Sequence, residues 1–436
     1  MHFPPMRTLV TTVFLAVAGA CSTTRLPAVR GSGPSYEFRN GQWFDGRGFQ
    51  AGTRYTVNGR LVDRRPSAVD SVIDLHGAYV VPAFGEDHNH NAVPSDTGVA
   101  HRYLRDGIFY VKNPDNLPRE KANAAGVYNI PTSIDVAFAN GGLTGPGGHP
   151  IELVQRNVAR GAWKPGDGDG GFLFIIGSAA ELEHKWPAIL ATTPDFIKTY
   201  LLFSDEYAQR LADTATIGWR GLDPALLPLI VRKAHAAGLR VTTHVETAAD
   251  FRNAVAADVD EINHLPGFRP EGNDLPGYRK LERYRITADD ARQAAEHHVA
   301  VATTVSEVVE ILKPMSAGTG GDSTMAQDVL ALIANNLRLL RDAGVNVVIG
   351  SDRYRTTSLP EVMGVRALHV FSDTALLRMW SMATPSAVFP NRKFGTTPGD
   401  EASFLVLEGN PLDDFMAVER ITMRVKDGVI LPQERR

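Results

Sequence analysis

The stretch Val80–Asn91, VVPAFGEDHNHN, runs from an apolar, strand-like segment straight into a polar cluster that holds two histidines one residue apart. Alternate side chains of an extended segment share a face, so His88 and His90 are expected to point one way and Asn89 the other. Two imidazoles on one face supply half of a metal site, and they stand just past the end of the apolar run. The remaining ligands must come from elsewhere in the chain.

Working outward, the segments before Val80 are short. YEFRNGQWFDG, FQAGTRYTVNGRLVD and SVIDLHGAYVV alternate in polarity between Asn-Gly and Asp-Gly turn signals, which predicts a small β domain. Beyond it, strand-like runs alternate with amphipathic helical stretches, the pattern of βα units on a parallel sheet. Eight strands are expected, at 79–84, 107–111, 133–138, 195–201, 239–245, 261–265, 299–305 and 345–351. Helices are expected at 204–212, 224–237, 248–256, 287–298 and 325–343, several opened by Ser, Thr or Asp caps. Eight such units over roughly 300 residues fit an α/β fold, a (β/α)8 TIM barrel with insertions. The end of the chain, GDEASFLVLEGNPLDDF and ERITMRVKDGVIL, returns to short alternating strands that are expected to rejoin the first ones in a β-sandwich built from both chain ends. The expected division is 36–78 for the first part of the sandwich, 79–395 for the barrel and 396–436 for the second part. A long glycine-rich departure around Gly141 to Gly171 is expected to shape the pocket as a loop.

The other strands carry single polar residues where burial is expected. His244 ends LRVTTHV, His264 lies in DEINHL, Asp352 follows VNVVIGS, and Lys198 interrupts DFIKTYLL, where a lysine is costly to bury without a partner or a chemical change. Any one of these reads equally as a hydrogen-bonded or rim residue. Together they bring His-x-His, Lys, His, His and Asp to one end of a barrel, the end at which barrel enzymes keep their chemistry.

This ordered set resembles the amidohydrolase superfamily, and the resemblance covers nearly the whole chain after the first 35 residues. VVPAFGEDHNH is similar to that family's Pro-x-x-x-Asp-x-His-x-His segment, and GTTPGDEASFLVLEGNPLDDF to its C-terminal return strand; Ala83 and Ser403 depart from the commoner Gly and Asp. DFIKTY, INH and GGLTGPGGHP are most similar to the imidazolonepropionase-like and Xaa-Pro dipeptidase-like branch. The resemblance implies that His88, His90 and Asp352 hold one divalent metal, that His244 and His264 hold a second, and that Lys198, carboxylated on its amine, bridges both. Two zinc ions are expected, with manganese, cobalt or iron suited to the same ligands. It further implies hydrolysis of an amide or cyclic amide carbon–nitrogen bond by a metal-bridging hydroxide, with Asp352 as the catalytic proton shuttle. A lactone or ester could be cleaved on the same site, and a barrel kept only for binding, as a catalytically inactive lipoprotein, is the reading from another class.

Further residues are candidates for substrate binding. His149 in GPGGHP could meet substrate or be a surface histidine, and Tyr200, which shares strand parity with Lys198, could line the pocket or pack in the core. Arg353 and Tyr354 could read a substrate carboxylate or cap the mouth. His235, His297 and His298 carry no functional expectation.

A net charge of −4 with 22% charged residues leaves no basic field for nucleic acid, and the expected partner is a small-molecule or dipeptide-like substrate. The oligomeric state has no signal in the sequence. At the start, Arg7 precedes an apolar segment from Leu9 to Ala20, and AGA stands before Cys21, the only cysteine of 436 residues. That arrangement is read as an export signal over 1–21. VAGACS resembles a bacterial lipoprotein box, which implies lipidation of Cys21, a membrane anchor and a periplasm-facing location on the outer membrane. Residues 22–35 then form a flexible tether.

Overall fold

The computed structural model describes residues 33–96, 98–268 and 275–433. The export-like segment, Cys21 and most of the tether lie outside the described residues. Among those described, no helix is long and apolar enough to cross a membrane.

The first five strands are β1 (Tyr36–Phe44), β2 (Phe49–Val57), β3 (Arg60–Val62), β4 (Ser71–Asp74) and β5 (Tyr79–Pro82). The last three are β16 (Phe404–Leu407), β17 (Ile421–Lys426) and β18 (Val429–Ile430). Hydrogen bonds join all eight into one sheet of order β18-β17-β16-β5-β1-β2-β3, with β4 beside β1, so strands from both ends of the chain share a single sheet. Asn58 (φ 50°) with Gly59 (φ 72°) and Asp427 (φ 49°) with Gly428 (φ 74°) make the hairpin turns that the sequence signalled, because two consecutive left-handed residues match the twist of the flanking strands. Phe38, Trp43, Val80, Phe404, Val406 and Val425 form that sheet's own core. Phe404 packs edge-on against Phe38 and Trp43, with ring centroids 5.1 and 5.3 Å away.

The remaining strands are parallel. They are β6 (Phe84–Glu86), β7 (Ile108–Asn113), β8 (Asp135–Phe138), β9 (Gly142–Thr144), β10 (Leu173–Ile175), β11 (Ile197–Tyr200), β12 (Val241–His244), β13 (Glu261–Asn263), β14 (Ala300–Ala302) and β15 (Asn346–Val348). One sheet has the order β6-β7-β8, the other β10-β9-β11-β12-β13-β14-β15. Between the two sheets, Asp195 N donates to Phe138 O at 2.8 Å, and Asp87 N donates to Ile349 O at 2.7 Å. Helices fall where the amphipathic pattern placed them. Ala248–Ala256 and Ala288–Glu296 are opened by capping boxes, Thr247 with Asp250 and Thr287 with Asp290, and Ser323–Asp342 by Asp322.

Two expectations are corrected. The run 79–84 is not one strand: β5 pairs with β1 and β16, whereas β6 pairs with β7. The switch is visible in the backbone, because Ala83 N donates to Ser403 O (3.1 Å) and Phe84 N to Gly107 O (2.9 Å). The change from one sheet to the other therefore falls at Ala83. The glycine-rich departure is also not a bare loop, since it contributes β9, the helix Ile151–Ala159 and β10, with β9 paired to β11 through Gly142 and Lys198. Glycine is needed there: a Cβ on Gly142 would stand 2.5 Å from Cε2 of Tyr200.

Candidate metal centre

His88 and His90 follow the end of β6, and Asp352 follows β15, so chain segments far apart in sequence must be held together. Ser351 N and Asp352 N both donate to His88 O, at 3.1 and 3.0 Å. Gly350 permits this approach, because a Cβ there would lie 2.7 Å from the His88 Cβ and 2.9 Å from its backbone nitrogen. Asn89 faces away from the histidines, as its parity predicts. Its amide donates to Glu86 Oε1 (2.8 Å), Ser351 Oγ (2.9 Å) and Arg353 O (3.1 Å), while its Oδ1 accepts from Asn91 N (2.8 Å). Asn89 thus latches the first ligand segment to the last.

The two imidazoles converge on one carboxylate. Asp352 Oδ1 lies 3.6 Å from His88 Nε2 and 3.0 Å from His90 Nε2, and one ligand atom from each of the three residues falls within 4.8 Å of the others. His264 and His244 stand alongside, with ring centroids 4.6 Å from His88 to His264 and 4.3 Å from His264 to His244. Lys198, on β11, is buried next to them, and its Nζ donates to Asn263 Oδ1 at 2.6 Å. The six residues thus come from five parallel strands: His88, His90, His264 and Asp352 follow strand ends, His244 closes β12, and Lys198 sits within β11. Asp352 (φ 51°) and His264 (φ 76°) both sit in the left-handed region, a conformation that costs energy away from glycine and that clusters at functional sites.

Each imidazole must be oriented through the nitrogen it does not offer to a metal. His264 Nδ1 pairs with Thr304 Oγ1 at 2.8 Å, and His244 Nε2 with Glu246 Oε1 at 3.1 Å. His90 Nδ1 lies 3.9 Å from Asp115 Oδ2, and the Tyr200 hydroxyl donates to Asp115 Oδ1. Among the described residues, His88 Nδ1 is buried without a hydrogen-bond partner.

The electrostatics favour the deprotonated, metal-binding forms of His88 and Asp352 and ease deprotonation of Lys198. Burial, aided by the charge of Lys198, pushes the His88 imidazole down to about 4, so it is neutral at pH 7. Burial opposes ionisation of Asp352, but hydrogen bonds from His88 and His90 outweigh it and hold the carboxyl well below its usual range. Burial also works against protonation of His90, yet Asp352 beside it raises its pKa overall. Lys198 is drawn down to about 8 chiefly by burial, against the pull of Asp115 and Asp352. A buried set of imidazoles, one carboxylate and an amine able to shed its proton is a donor set suited to divalent cations.

The weaker candidates separate. His149 joins the cluster: its ring centroid is 5.1 Å from His244 and 5.5 Å from Tyr200, and its Nδ1 is 2.6 Å from Glu152 Oε1. Tyr200 is buried at the site, its ring centroid 5.9 Å from His244. Arg353 turns to Glu310, its Nη1 2.6 Å from Oε2, while Tyr354 is exposed with its ring 6.1 Å from His90. Asp115, Asn263, Glu246 and Thr304 were not expected. Asp115 follows β7, where a polar residue past a strand end was the available signal.

No protein-family model and no curated protein sequence matches the chain. Solved structures do match. An amidohydrolase aligns at TM-score 0.67 and 20% identity, over 92% of this chain and 100% of that one. The A. niger ochratoxinase aligns at TM-score 0.69 and 16% identity, over 91% and 95%. A Xaa-Pro dipeptidase with methionine bound in its active site aligns at TM-score 0.66 and 15% identity, over 91% and 99%. The chain shares the fold of these amidohydrolase and Xaa-Pro dipeptidase-like proteins.

Proposed function

We propose that this chain is a metal-dependent hydrolase of carbon–nitrogen bonds, with its site at the C-terminal mouth of a (β/α)8 barrel. In this reading the two parallel sheets close into one barrel, β6, β7, β8 and β11 through β15 being the eight staves, with β9 and β10 as an insertion. The bonds from Asp195 to Phe138 and from Asp87 to Ile349 stand at the two seams. The observation that carries the proposal is the convergence of His88, His90, Lys198, His244, His264 and Asp352 from five strands into one buried cluster.

His88, His90 and Asp352 would hold one divalent cation, His244 and His264 a second, and a carboxylated Lys198 would bridge them. Bound there, the cations would supply Lewis acidity for the scissile carbonyl and a nucleophile from water at neutral pH. The side chains do the rest. Asp352, ionised and with its side chain 25% exposed, takes up a proton on a carboxylate oxygen and hands it to the leaving nitrogen. His149, steadied by Glu152 through Nδ1, has a second ring nitrogen to offer a substrate oxygen. Phe268 stacks on His264 with ring centroids 4.1 Å apart and helps keep water from that side of the cluster.

The names borne by the similar structures, amidohydrolase, ochratoxinase and Xaa-Pro dipeptidase, favour an amide or dipeptide-like substrate over a lactone. Metal analysis of protein produced with zinc and bicarbonate tests the reading. We expect roughly two equivalents of zinc per chain, falling below about one in His88→Ala and Lys198→Ala. A protein that takes up no metal, and whose stability ignores both substitutions, overturns it. A panel of N-acyl amino acids, Xaa-Pro dipeptides and lactones then separates amide from ester chemistry.

A further inference from the structure

A buried polar chain lies directly beneath Lys198 and reaches across four strands. Lys198 Nζ donates to Asn263 Oδ1 (2.6 Å), Asn263 Nδ2 donates to Glu261 Oε1 (3.0 Å), and Thr242 Oγ1 donates to the same oxygen (2.7 Å). On its other side Glu261 pairs with Lys112, which also meets Asp87 Oδ1 at 2.8 Å. None of these side chains reaches solvent: Lys198, Asn263, Glu261 and Lys112 are at most 4% exposed.

The order of charges in this chain determines what Lys198 meets. Glu261 meets Lys112 through Oε2, while its Oε1 accepts from Thr242 and from Asn263. Asn263 must therefore give its amino group to Glu261 and turn its oxygen to Lys198. The buried amine thus faces a neutral acceptor. A carboxylate at that distance would keep Lys198 as an ammonium, whereas an amide oxygen accepts equally from an ammonium, an amine or the single N–H of a carbamate. Lys112 completes the arrangement by pairing with Glu261, the acid that would otherwise compete for Lys198.

We propose that Asn263 is a positioning residue that leaves Lys198 open to carboxylation, by offering its Nζ a fixed, uncharged acceptor where a carboxylate would hold the ammonium. This inference rests on the carboxylated lysine of the proposed function. In the reaction the neutral amine attacks dissolved carbon dioxide, so that an N–C bond forms and one C–O π pair moves onto oxygen. Nζ then releases a proton to water, leaving a carbamate with one N–H on Asn263 Oδ1 and two oxygens for the cations. The ammonium must first lose a proton, so two protons leave in all for each carbon dioxide taken up.

The test is a 13C-bicarbonate titration of the zinc-loaded full-length protein, followed by NMR at the carbamate carbon, with thermal unfolding recorded in parallel. Asn263→Ala should raise the bicarbonate concentration at half-occupancy about tenfold or more, the scale of effect known for outer partners of metal ligands. Asn263→Asp is the decisive variant. It keeps the shape but offers a negative acceptor, and it should shift the midpoint further than Ala. A role in packing alone lowers the thermal stability of both variants, the new carboxylate of Asn263→Asp facing Glu261, and leaves the bicarbonate midpoints at the wild-type value. Wild-type midpoints in both variants, or a smaller shift in Asp than in Ala, overturn the role of Asn263. If Asn263→Ala does not fold, a wild-type midpoint in Asn263→Asp alone is enough to do so. Absence of the resonance from wild type would instead remove the carboxylated-lysine reading, and this inference with it.

Discussion

His88 and His90 were legible because two identical metal-binding side chains two positions apart share a face wherever the chain is extended. Asn89 was legible for the same reason, as the residue that points away. What it does there was not, since its partners Ser351 and Arg353 lie more than 260 positions further along the chain. A latch with several buried partners should be costly to remove. Asn89→Leu leaves the Glu86 carboxyl, the Ser351 hydroxyl and the Arg353 carbonyl short of a donor, and we expect a loss of roughly 2–4 kcal/mol in urea unfolding. A loss under about 1 kcal/mol would show that the two ligand segments are held by their backbone bonds and by Ser351 on Glu86 and Asn91 on Arg353 O without the latch. Asp115 and Asn263 were illegible on the same ground. Each acts by facing a side chain on another strand, and neither stands in a motif.

At the scale of elements, most of the parallel strands and the capped helices follow from apolar runs, Thr-x-x-Asp boxes and turn dipeptides, all of which act within a few residues. Two strand readings failed where local pattern is silent. VVPAF is one apolar run, yet its hydrogen-bond partners change between Ala83 and Phe84, and partner choice is a property of the neighbours. The segment ANGGLT reads as loop by composition, yet Gly142–Thr144 is a strand because glycine lets the backbone pass against the Tyr200 ring. Restoring a methyl group there should report that contact. Gly142→Ala is expected to cost about 1–3 kcal/mol and to raise the exchange rate of the β9 amides. Unchanged stability and exchange would mean that Tyr200 moves freely aside.

At the scale of the whole molecule, the end-built sheet is fastened to the parallel strands by a buried ionic cluster. Arg392 grips Glu401 with two nitrogens, each 2.5 Å from a carboxylate oxygen, and reaches Asp135 Oδ2 on β8 at 2.8 Å. Lys426, fully buried on β17, meets Asp135 Oδ1 at 2.9 Å. Removing one partner strands the others, so Arg392→Met should cost about 3–5 kcal/mol. A loss below about 1 kcal/mol in urea unfolding would refute the clamp. The cluster also predicts an acid limb. Burial alone would raise the Asp135 carboxyl, but Lys426 and Arg392 outweigh it and hold the group below 3.8. Between that depressed value and 3.8 the unfolded chain binds more protons than the folded one, so the contribution is complete above 3.8 and is lost as the pH falls. The gap between the melting temperatures of wild type and Asp135→Asn should therefore narrow as the pH falls below 3.8, and a constant gap would rule this origin out.

The sequence by itself determined the strand and helix alternation, the return of the chain's end to its first strands and the identity of six candidate ligands. These depend on periodicity, on turn chemistry and on polar residues standing where apolar ones belong, all of which are local signals. Only the tertiary structure decided where one sheet hands over to the other, that the glycine-rich insertion pairs with β11, and which groups orient the ligands. Those outcomes depend on hydrogen-bond partners separated by tens to hundreds of residues. A buried donor or acceptor must find such a partner, and a linear pattern does not say which one it will be.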